Sequence, residues 1–215
     1  MTPQIDLQYE IKYFHDLLAA EEMKVAFDEV LEDSEVADEA IYNYEFCQNI
    51  GKTYACTGAS KFVVLSYDWD WVLKIPFLGE SINYCEIEKN IYEKAIEAGL
   101  EKFFTPMYYV GTFQTKTSRV LPLYLSKKVE TDIDYLDNVY SGLSDPHKSP
   151  KNISNEVLSY FPEGKVLAKL CEDYPENEVE KLCIFMEENY IGDMHAGNVG
   201  LTEDNKIIFL DYSGY

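Results

Sequence analysis

The order of apolar and polar positions predicts a helical segment at the start of the chain. Ile11, Phe14 and Leu18 fall on one face of a helix, because they recur at intervals close to the turn of about 3.6 residues. The polar run Glu32-Asp33-Ser34 interrupts this pattern. We therefore expect residues 1–45 to form an N-terminal helical extension.

A different pattern follows, in which short apolar runs are separated by polar turns. Such runs predict strands. The chain has five of them, at Lys52–Cys56, Phe62–Tyr67, Trp71–Pro76, Met107–Thr112 and Val120–Leu125. Between the third and the fourth, residues 80–99 have a helical pattern that ends in Gly99, a residue typical of helix C-termini. Residues 46–130 are thus predicted to contain five strands and one helix.

The last part of the chain, residues 131–215, is predicted to be mainly helical. Residues 155–170 and 178–189 carry apolar positions at helical spacing. The apolar run Ile207–Leu210 predicts a short strand directly before Asp211. Together these elements indicate an α+β protein with two lobes.

The charge and the composition exclude several classes of function. The chain has 39 acidic and 18 basic residues, so its net charge is 18 − 39 = −21. We expect it to bind neither nucleic acid nor an anionic membrane, because neutralising phosphates requires Lys and Arg. No apolar run reaches the roughly 18 residues of a membrane span, and the N-terminus lacks the regions of a signal peptide. The five cysteines include no C-x-x-C pair and are typical of reduced core residues, which predicts a cytoplasmic protein.

Three polar residues near the end of the chain have the spacing of a phosphotransferase site. Asp193 and Asn198 are separated by four residues, and Asp211 follows 13 positions after Asn198, behind the predicted strand. In a catalytic loop with this spacing, the Asp receives the proton of the substrate hydroxyl and the Asn holds a metal. The spacing alone is a weak indication, because Asp and Asn are common in loops.

A lysine in an apolar strand is the second candidate for phosphate chemistry. Lys74 is the only charged residue in the run Trp71–Pro76, so it requires either an anion or a route to solvent along its own stem. The helix that follows carries two acidic residues, Glu86 and Glu88. Glu88 precedes apolar residues three and four positions later, which favours Glu88 over Glu86 as the partner of Lys74 and leaves both open.

Taken together, Lys74, the acidic helix and the string Gly192-Asp193-Met194-His195-Ala196-Gly197-Asn198-Val199 resemble the protein-kinase-like superfamily, closest to its aminoglycoside and small-molecule phosphotransferase branch. The resemblance covers about Tyr54 to Tyr215. It implies a two-lobed fold with a five-stranded antiparallel small lobe that has one helix and a reduced helical large lobe. It also implies ATP and Mg²⁺ as cofactors.

The resemblance assigns roles residue by residue. Lys74 would contact the nucleotide phosphates, Glu88 would pair with Lys74, Asp193 would be the catalytic base, and Asn198 and Asp211 would bind metal.

The remaining nucleotide contacts implied by the resemblance come from two short segments. Gly58 and Ser60 would form the phosphate loop between the first two strands. Lys128, Val129 and Glu130 would belong to the hinge that meets the adenine.

Several positions depart from the pattern of the superfamily. Ile191 stands where the family has a histidine, and Asp211-Tyr212-Ser213-Gly214 replaces the D-F-G of protein kinases. His195 is either a satisfied loop histidine or a residue that positions substrate. The sequence stops at Tyr215, where a family member continues into helices that bind the phosphate acceptor.

From that stop we expect an uncovered apolar patch under the catalytic loop that includes Met194 and Val199. The N-terminal helix, a second copy of the chain or another protein would have to cover this patch.

Three functions from different classes follow from these observations. The first is an ATP- and Mg²⁺-dependent phosphotransferase with an unknown hydroxyl-bearing acceptor. The second is a pseudokinase that binds nucleotide or a partner without turnover. The third is an acidic interaction protein that blocks a basic partner. The set Lys74, Glu88, Asp193, Asn198 and Asp211 favours the first two, because the third would need none of these residues.

Overall fold

The computed structural model describes residues 53–57, 61–66, 70–76, 82–114, 120–162 and 164–213, together with Lys12 and Asp16, which are both helical. The rest of the predicted N-terminal extension lies outside the described residues. Gly58 and Ser60 of the predicted phosphate loop also lie outside them. The domain boundaries proposed from the sequence, 1–45, 46–130 and 131–215, therefore stay a prediction.

Within these residues the protein is a mixed α+β structure, as the sequence predicts. Its larger sheet has five antiparallel strands in the order β1-β2-β3-β5-β4, which is the number that the resemblance implies. The strands are β1 Thr53–Thr57, β2 Lys61–Ser66, β3 Trp71–Pro76, β4 Met107–Gln114 and β5 Val120–Lys127. Each lies within a few residues of the apolar run that predicted it.

The central strand β3 explains how a lysine comes to be buried. All six residues of β3 are buried, so both faces of this central strand are covered. Lys74 lies opposite Val63 of β2 and Tyr124 of β5, so these three side chains share one face of the sheet.

Helix α1 spans Tyr84–Ala98 and confirms the predicted helix between the third and fourth strands. It ends at Gly99, whose φ of +68° is readily adopted only by a residue without a Cβ. Ile91 and Ala95 are buried, as the apolar pattern predicts. The same spacing also predicts Ile96 on this face, and that prediction is wrong, because the Ile96 side chain is exposed.

The helical part of the chain contains a helix that the sequence did not predict. Helix α2, Ile133–Ser141, begins where the Asp132 side chain accepts a hydrogen bond of 2.9 Å from the Tyr135 backbone N–H. Such a cap satisfies one of the unpaired donors at a helix start. Its length of nine residues gives only two turns of helical pattern in the sequence.

The predicted helix 155–170 is two helices, α3 Asn155–Ser159 and α4 Lys165–Asp173. Pro162 lies between them and cannot donate to a helical hydrogen bond. Gly164 then takes a φ of +69°, which no helix interior has. The second predicted helix is confirmed as α5, Glu176–Glu188.

A hairpin closes the described chain. Its strands are β6 Val199–Leu201 and β7 Ile207–Phe209, paired antiparallel. Strand β7 confirms the strand predicted before Asp211. Met194 and Val199, which we expected to need a cover, are both fully buried, and their cover by the N-terminal helix stays a prediction. The structure thus gives no reason for a second copy or another protein to cover these two residues.

The described chain divides into two compact units. The first contains the described residues up to Glu86 together with Met107–Lys128, and it holds the five-stranded sheet. The second contains Ile87–Pro106 and the described residues from Val129 onwards, with helices α2 to α5 and the β6–β7 hairpin.

The sequence predicts no membrane span. Among the described helices, none combines the length and the apolarity needed to span a bilayer.

Cys85, Cys171 and Cys183 are free and buried. Burial raises the pKa of Cys171 and raises the pKa of Cys183 to about 12, so both thiols stay protonated. These three cysteines are the reduced core residues that the sequence predicted.

Candidate functional site

The loop that carries Asp193 is fixed by apolar residues on both sides. Ile191 and Met194 are fully buried. The Ile191 N–H donates to the Met186 carbonyl oxygen at 2.9 Å, and the Met194 N–H donates to the Tyr160 carbonyl oxygen at 2.6 Å. Asp193 lies between these two anchors, and its side chain remains 56% exposed. An apolar-Gly-Asp-apolar sequence therefore presents one carboxylate on a rigid support.

Asp193 has an unusual backbone conformation. Its φ is +57°, in the left-handed region that non-glycine residues seldom adopt and that Asp tolerates better than most. Conformations of this kind cluster at functional sites, where the surrounding structure maintains them.

Asn198 joins the Asp193 loop to the segment that carries Asp211. Its side-chain Nδ2 donates to the Asp193 carbonyl oxygen at 2.8 Å. Its own carbonyl oxygen accepts hydrogen bonds from the N–H groups of Leu210 at 2.9 Å and Asp211 at 3.4 Å. The three residues selected by spacing in the sequence thus belong to one hydrogen-bonded network.

His195 caps the short 3-10 helix Ala196–Asn198. Its Nδ1 accepts a hydrogen bond of 2.9 Å from the Gly197 N–H, which assigns the proton of the neutral ring to Nε2. Nε2 lies 3.6 Å from the Asp193 carboxylate oxygen Oδ2. Of the two interpretations from the sequence, the satisfied loop histidine accounts for Nδ1, while Nε2 faces the candidate base.

The groups that could hold a metal are oxygen atoms. The described residues contain no cluster of three or more His, Cys, Asp and Glu side chains suited to a metal ion. Because Asn198 donates through Nδ2, its Oδ1 is the amide atom left to act as a ligand. Asp211 supplies a carboxylate, and its Oδ1 also accepts a hydrogen bond of 3.1 Å from the Ser213 hydroxyl. A carboxylate with an amide oxygen fits Mg²⁺, which prefers hard oxygen ligands and few protein carboxylates.

Tyr212, the residue after Asp211, forms a hydrogen bond with Thr105, which no pattern in the sequence indicated. Tyr212 is fully buried, and its hydroxyl donates to the Thr105 carbonyl oxygen at 2.7 Å. No side-chain pattern could have indicated Thr105, because its contact with Tyr212 uses the backbone.

Lys74 lies in the first unit and is 6% exposed. Its cross-strand neighbour Tyr124 donates from its hydroxyl to Glu86 Oε2 at 2.8 Å and accepts from Asn83 Nδ2 at 3.0 Å. Burial and the Glu86 hydrogen bond raise the pKa of Tyr124, so its hydroxyl stays protonated. Glu88, on the same helix as Glu86, belongs to the second unit and is fully buried. The choice between Glu86 and Glu88 as the partner of Lys74 stays a prediction.

The predicted hinge residues differ in whether their backbone groups form hydrogen bonds within the protein. The Lys128 N–H donates to the Asp70 carbonyl oxygen at 2.8 Å. The Glu130 N–H donates to the Leu201 carbonyl oxygen at 3.2 Å, and the Glu130 carbonyl oxygen accepts from the Leu201 N–H at 2.9 Å. Of the three hinge residues, Val129 is therefore the one whose N–H makes no backbone hydrogen bond within the described residues.

Comparisons with known proteins give only weak matches. No family model matches the chain, and no curated protein matches it. Among solved structures, it is similar to the bifunctional kinase-methyltransferase WbdD, with a TM-score of 0.32 and 10% identity over 72% of this chain and 30% of that chain. It is also similar to the GDP and kanamycin complex of APH(2")-IIia, with a TM-score of 0.25 and 15% identity over 61% of this chain and 39% of that chain.

The chain therefore spans about a third of the length of the structures it matches. At such TM-scores a shared fold is not established. These matches therefore carry no argument about function, which has to come from the chain's own residues.

Proposed function

We propose that this protein is an ATP- and Mg²⁺-dependent phosphotransferase of the kinase-like type. The observation that carries the proposal is the network in which Asn198 binds the Asp193 backbone and the backbone of Leu210 and Asp211. A loop whose only role was to reverse the chain would not need to fix an exposed carboxylate, an amide and a second carboxylate relative to one another.

In this proposal Asp193 is the catalytic base. Its carboxylate is exposed, its backbone is held at both ends, and Nε2 of His195 lies 3.6 Å away. A base in this position can receive the proton of an acceptor hydroxyl as the oxygen attacks phosphorus. The acceptor is a hydroxyl-bearing molecule that the sequence does not identify.

Asn198 Oδ1 and the Asp211 carboxylate are the proposed metal ligands. A bound Mg²⁺ would neutralise negative charge on the phosphate oxygens. The hydrogen bond from Asn198 Nδ2 to the Asp193 carbonyl fixes the direction of the amide, so its oxygen is already oriented before a ligand binds.

Further proposed nucleotide contacts come from the sheet and the hinge. Lys74 would bind the phosphates, with Glu88 or Glu86 as its partner, and Gly58 and Ser60 would cover them. The adenine would meet Val129 between Lys128 and Glu130, since the N–H groups of those two neighbours already donate inside the protein.

Calorimetric titration with ATP tests this function. We expect wild-type protein to bind ATP in the presence of Mg²⁺ and to lose most of this affinity in EDTA. Asp211→Asn should weaken ATP binding in the presence of Mg²⁺ by more than about tenfold. Tenfold is the lower end of the effect of losing a residue that only supports a metal ligand, and Asp211 is proposed to bind the metal itself. Asp204→Asn is the matched control, because it removes the same charge from an exposed residue of the β6–β7 turn.

Two results would contradict the proposal. The first is the absence of binding by wild-type protein at millimolar ATP and Mg²⁺, which would favour the acidic interaction protein. The second is equal weakening by Asp204→Asn and Asp211→Asn, which would reduce the effect to overall charge.

A further inference from the structure

Thr105 makes hydrogen bonds to the chain on both sides of Asp211. The Thr105 N–H donates to the Phe209 carbonyl oxygen at 2.9 Å, and its hydroxyl donates to the same oxygen at 3.1 Å. Its own carbonyl oxygen accepts a hydrogen bond of 2.7 Å from the Tyr212 hydroxyl. One residue thus holds the position two residues before Asp211 and the position directly after it.

These bonds lie in a part of the second unit that is closed to water. Thr105, Phe209 and Tyr212 are all fully buried. The Phe104 ring packs at centroid distances of 5.4 Å from Phe209 and 5.1 Å from Tyr212, both edge to face. A hydroxyl buried in this way requires a partner, so the Tyr212 bond to Thr105 is strongly favoured over an open alternative.

The Tyr212 hydroxyl is the only part of this side chain that binds Thr105. A phenylalanine at this position would fill the same space and pack against Phe104, but it could not bind the Thr105 carbonyl.

The other side of the Asp211 segment is bound to the catalytic loop. The Asn198 carbonyl oxygen accepts from the N–H groups of Leu210 and Asp211. With Thr105 and Asn198 as the two supports, a rotation of the backbone at Asp211 would break several hydrogen bonds together, and those of Thr105 are buried.

We propose that Thr105 is a positioning residue for Asp211 and that it acts through its bonds to the Phe209 carbonyl oxygen, one of them from its hydroxyl, and through the bond from the Tyr212 hydroxyl. The inference rests on the proposed function, because it assigns to Thr105 the orientation of a metal-binding carboxylate. Thr105 touches neither metal nor substrate. Its contribution is to hold the Asp211 backbone in one orientation, as outer-shell partners of metal ligands do.

Two pairs of variants separate this role from simple loss of stability. Tyr212→Phe removes the hydroxyl that binds Thr105. Its matched control is Tyr174→Phe, which removes a hydroxyl from a ring packed 4.6 Å from Phe103 and leaves the bond between Tyr212 and Thr105 intact. Thr105→Val removes the Thr105 hydroxyl at similar volume, and Thr105→Ser restores it.

The first measurement is hydrogen exchange of the peptide that contains Leu210 and Asp211, in protein without ligands. We expect faster exchange in Tyr212→Phe and Thr105→Val, and wild-type exchange in Tyr174→Phe and Thr105→Ser. Unchanged exchange in Tyr212→Phe would overturn the proposal whether or not the protein binds nucleotide.

The second measurement is the Mg²⁺ concentration that gives half of the maximal binding of a fluorescent ATP analogue. Tyr212→Phe should raise this concentration by about tenfold, the usual effect of losing an outer-shell partner, while binding in EDTA stays the same as in wild type. Faster exchange with an unchanged Mg²⁺ requirement would overturn the positioning role and leave Thr105 as a structural anchor. If wild-type protein binds no nucleotide, the proposed function fails, and the positioning role fails with it even where exchange is faster.

Discussion

Asp193 combines an exposed carboxylate with a backbone φ of +57°. Left-handed backbone is unfavourable for residues with a Cβ, although Asp tolerates it better than most. The surrounding hydrogen bonds of Ile191 and Met194 maintain this conformation. A catalytic role of the carboxylate would explain why the protein keeps a backbone conformation that lowers its stability at this position.

Two substitutions at Asp193 should therefore differ in their effect on the free energy of unfolding. Both Asp193→Gly and Asp193→Ala remove the carboxylate. Glycine adopts positive φ without strain, so Asp193→Gly should keep or raise the free energy of unfolding. Alanine keeps the Cβ, so Asp193→Ala should lie below the glycine variant by about 1 kcal/mol. Urea unfolding of the two variants measures this difference.

Phosphoryl transfer should be lost in both variants, whatever their stability. A glycine variant that is clearly less stable than the alanine variant would contradict the strained conformation. It would also mean that the Asp193 side chain stabilises the loop, which is a structural role.

Single residues also show what the sequence could and could not predict. The sequence predicts Asp193, Asn198 and Asp211 as one group because their side chains have the type and the spacing of a known chemistry, and the hydrogen bonds of Asn198 join the three residues. Thr105 was not found, because the contacts to Phe209 and Tyr212 depend largely on its backbone N–H and carbonyl. Backbone contacts depend on where the chain folds back, which side-chain type does not reveal.

At the scale of elements, the strands and the first helix followed from apolar runs and from Gly99. The errors arose where local chemistry opposes an apolar pattern. Residues 155–170 have a helical pattern, but Pro162 and Gly164 divide it into α3 and α4. Helix α2 begins at a cap on Asp132, and its nine residues have apolar positions at helical spacing over only two turns, which is a short stretch from which to predict a helix.

One contact between elements depends on the absence of a side chain. A Cβ on Gly200 in β6 would lie 2.6 Å from Cγ2 of Val129 and 2.8 Å from the Glu130 carbonyl oxygen. The Val129 methyl could turn away, but the backbone oxygen cannot move without disturbing the paired hydrogen bonds between Glu130 and Leu201. Gly200 therefore sets the distance between β6 and the proposed hinge.

Gly200→Ala should destabilise the protein by about 1–3 kcal/mol, the usual cost of forcing extra volume into a packed site. It should also weaken ATP binding, because it displaces the segment at Val129. Chemical denaturation and calorimetry measure the two effects. Gly142→Ala is the control, since a Cβ there would meet its nearest atom, the Val139 carbonyl oxygen, at an ordinary 3.4 Å. Equal effects of the two variants would contradict the close approach at Gly200.

At the scale of the whole molecule, the net charge of −21 constrains the proposed function. ATP is itself an anion, so an acidic protein must offset the repulsion locally. Lys74 and a bound cation are the proposed means. Strong dependence of ATP binding on Mg²⁺ is thus a consequence of the overall charge as well as of Asn198 and Asp211.

The two compact units show how far a sequence can be interpreted at this scale. Asp193, Asn198 and Asp211 lie within the second unit, and their spacing in the sequence was sufficient to associate them. Lys74 lies in the first unit, and its association with them remains a prediction from the resemblance. Short-range spacing specifies a loop, whereas the joining of separate units depends on packing that spacing does not encode.

The most direct test of the phosphotransferase is the formation of ADP from ATP and Mg²⁺, with wild type and Asp193→Asn measured side by side. In this assay water takes the place of the acceptor, so the terminal phosphoryl group would pass to a water oxygen with ADP as the leaving group, and Asp193 would receive the proton. We predict that wild-type protein forms ADP and that Asp193→Asn does so about 10²- to 10⁴-fold more slowly, the usual effect of losing a positioned base, with its ATP affinity retained. Equal rates in the two proteins, or no ADP from a wild-type protein that binds ATP, would contradict catalysis by Asp193 and would indicate a nucleotide-binding protein without turnover.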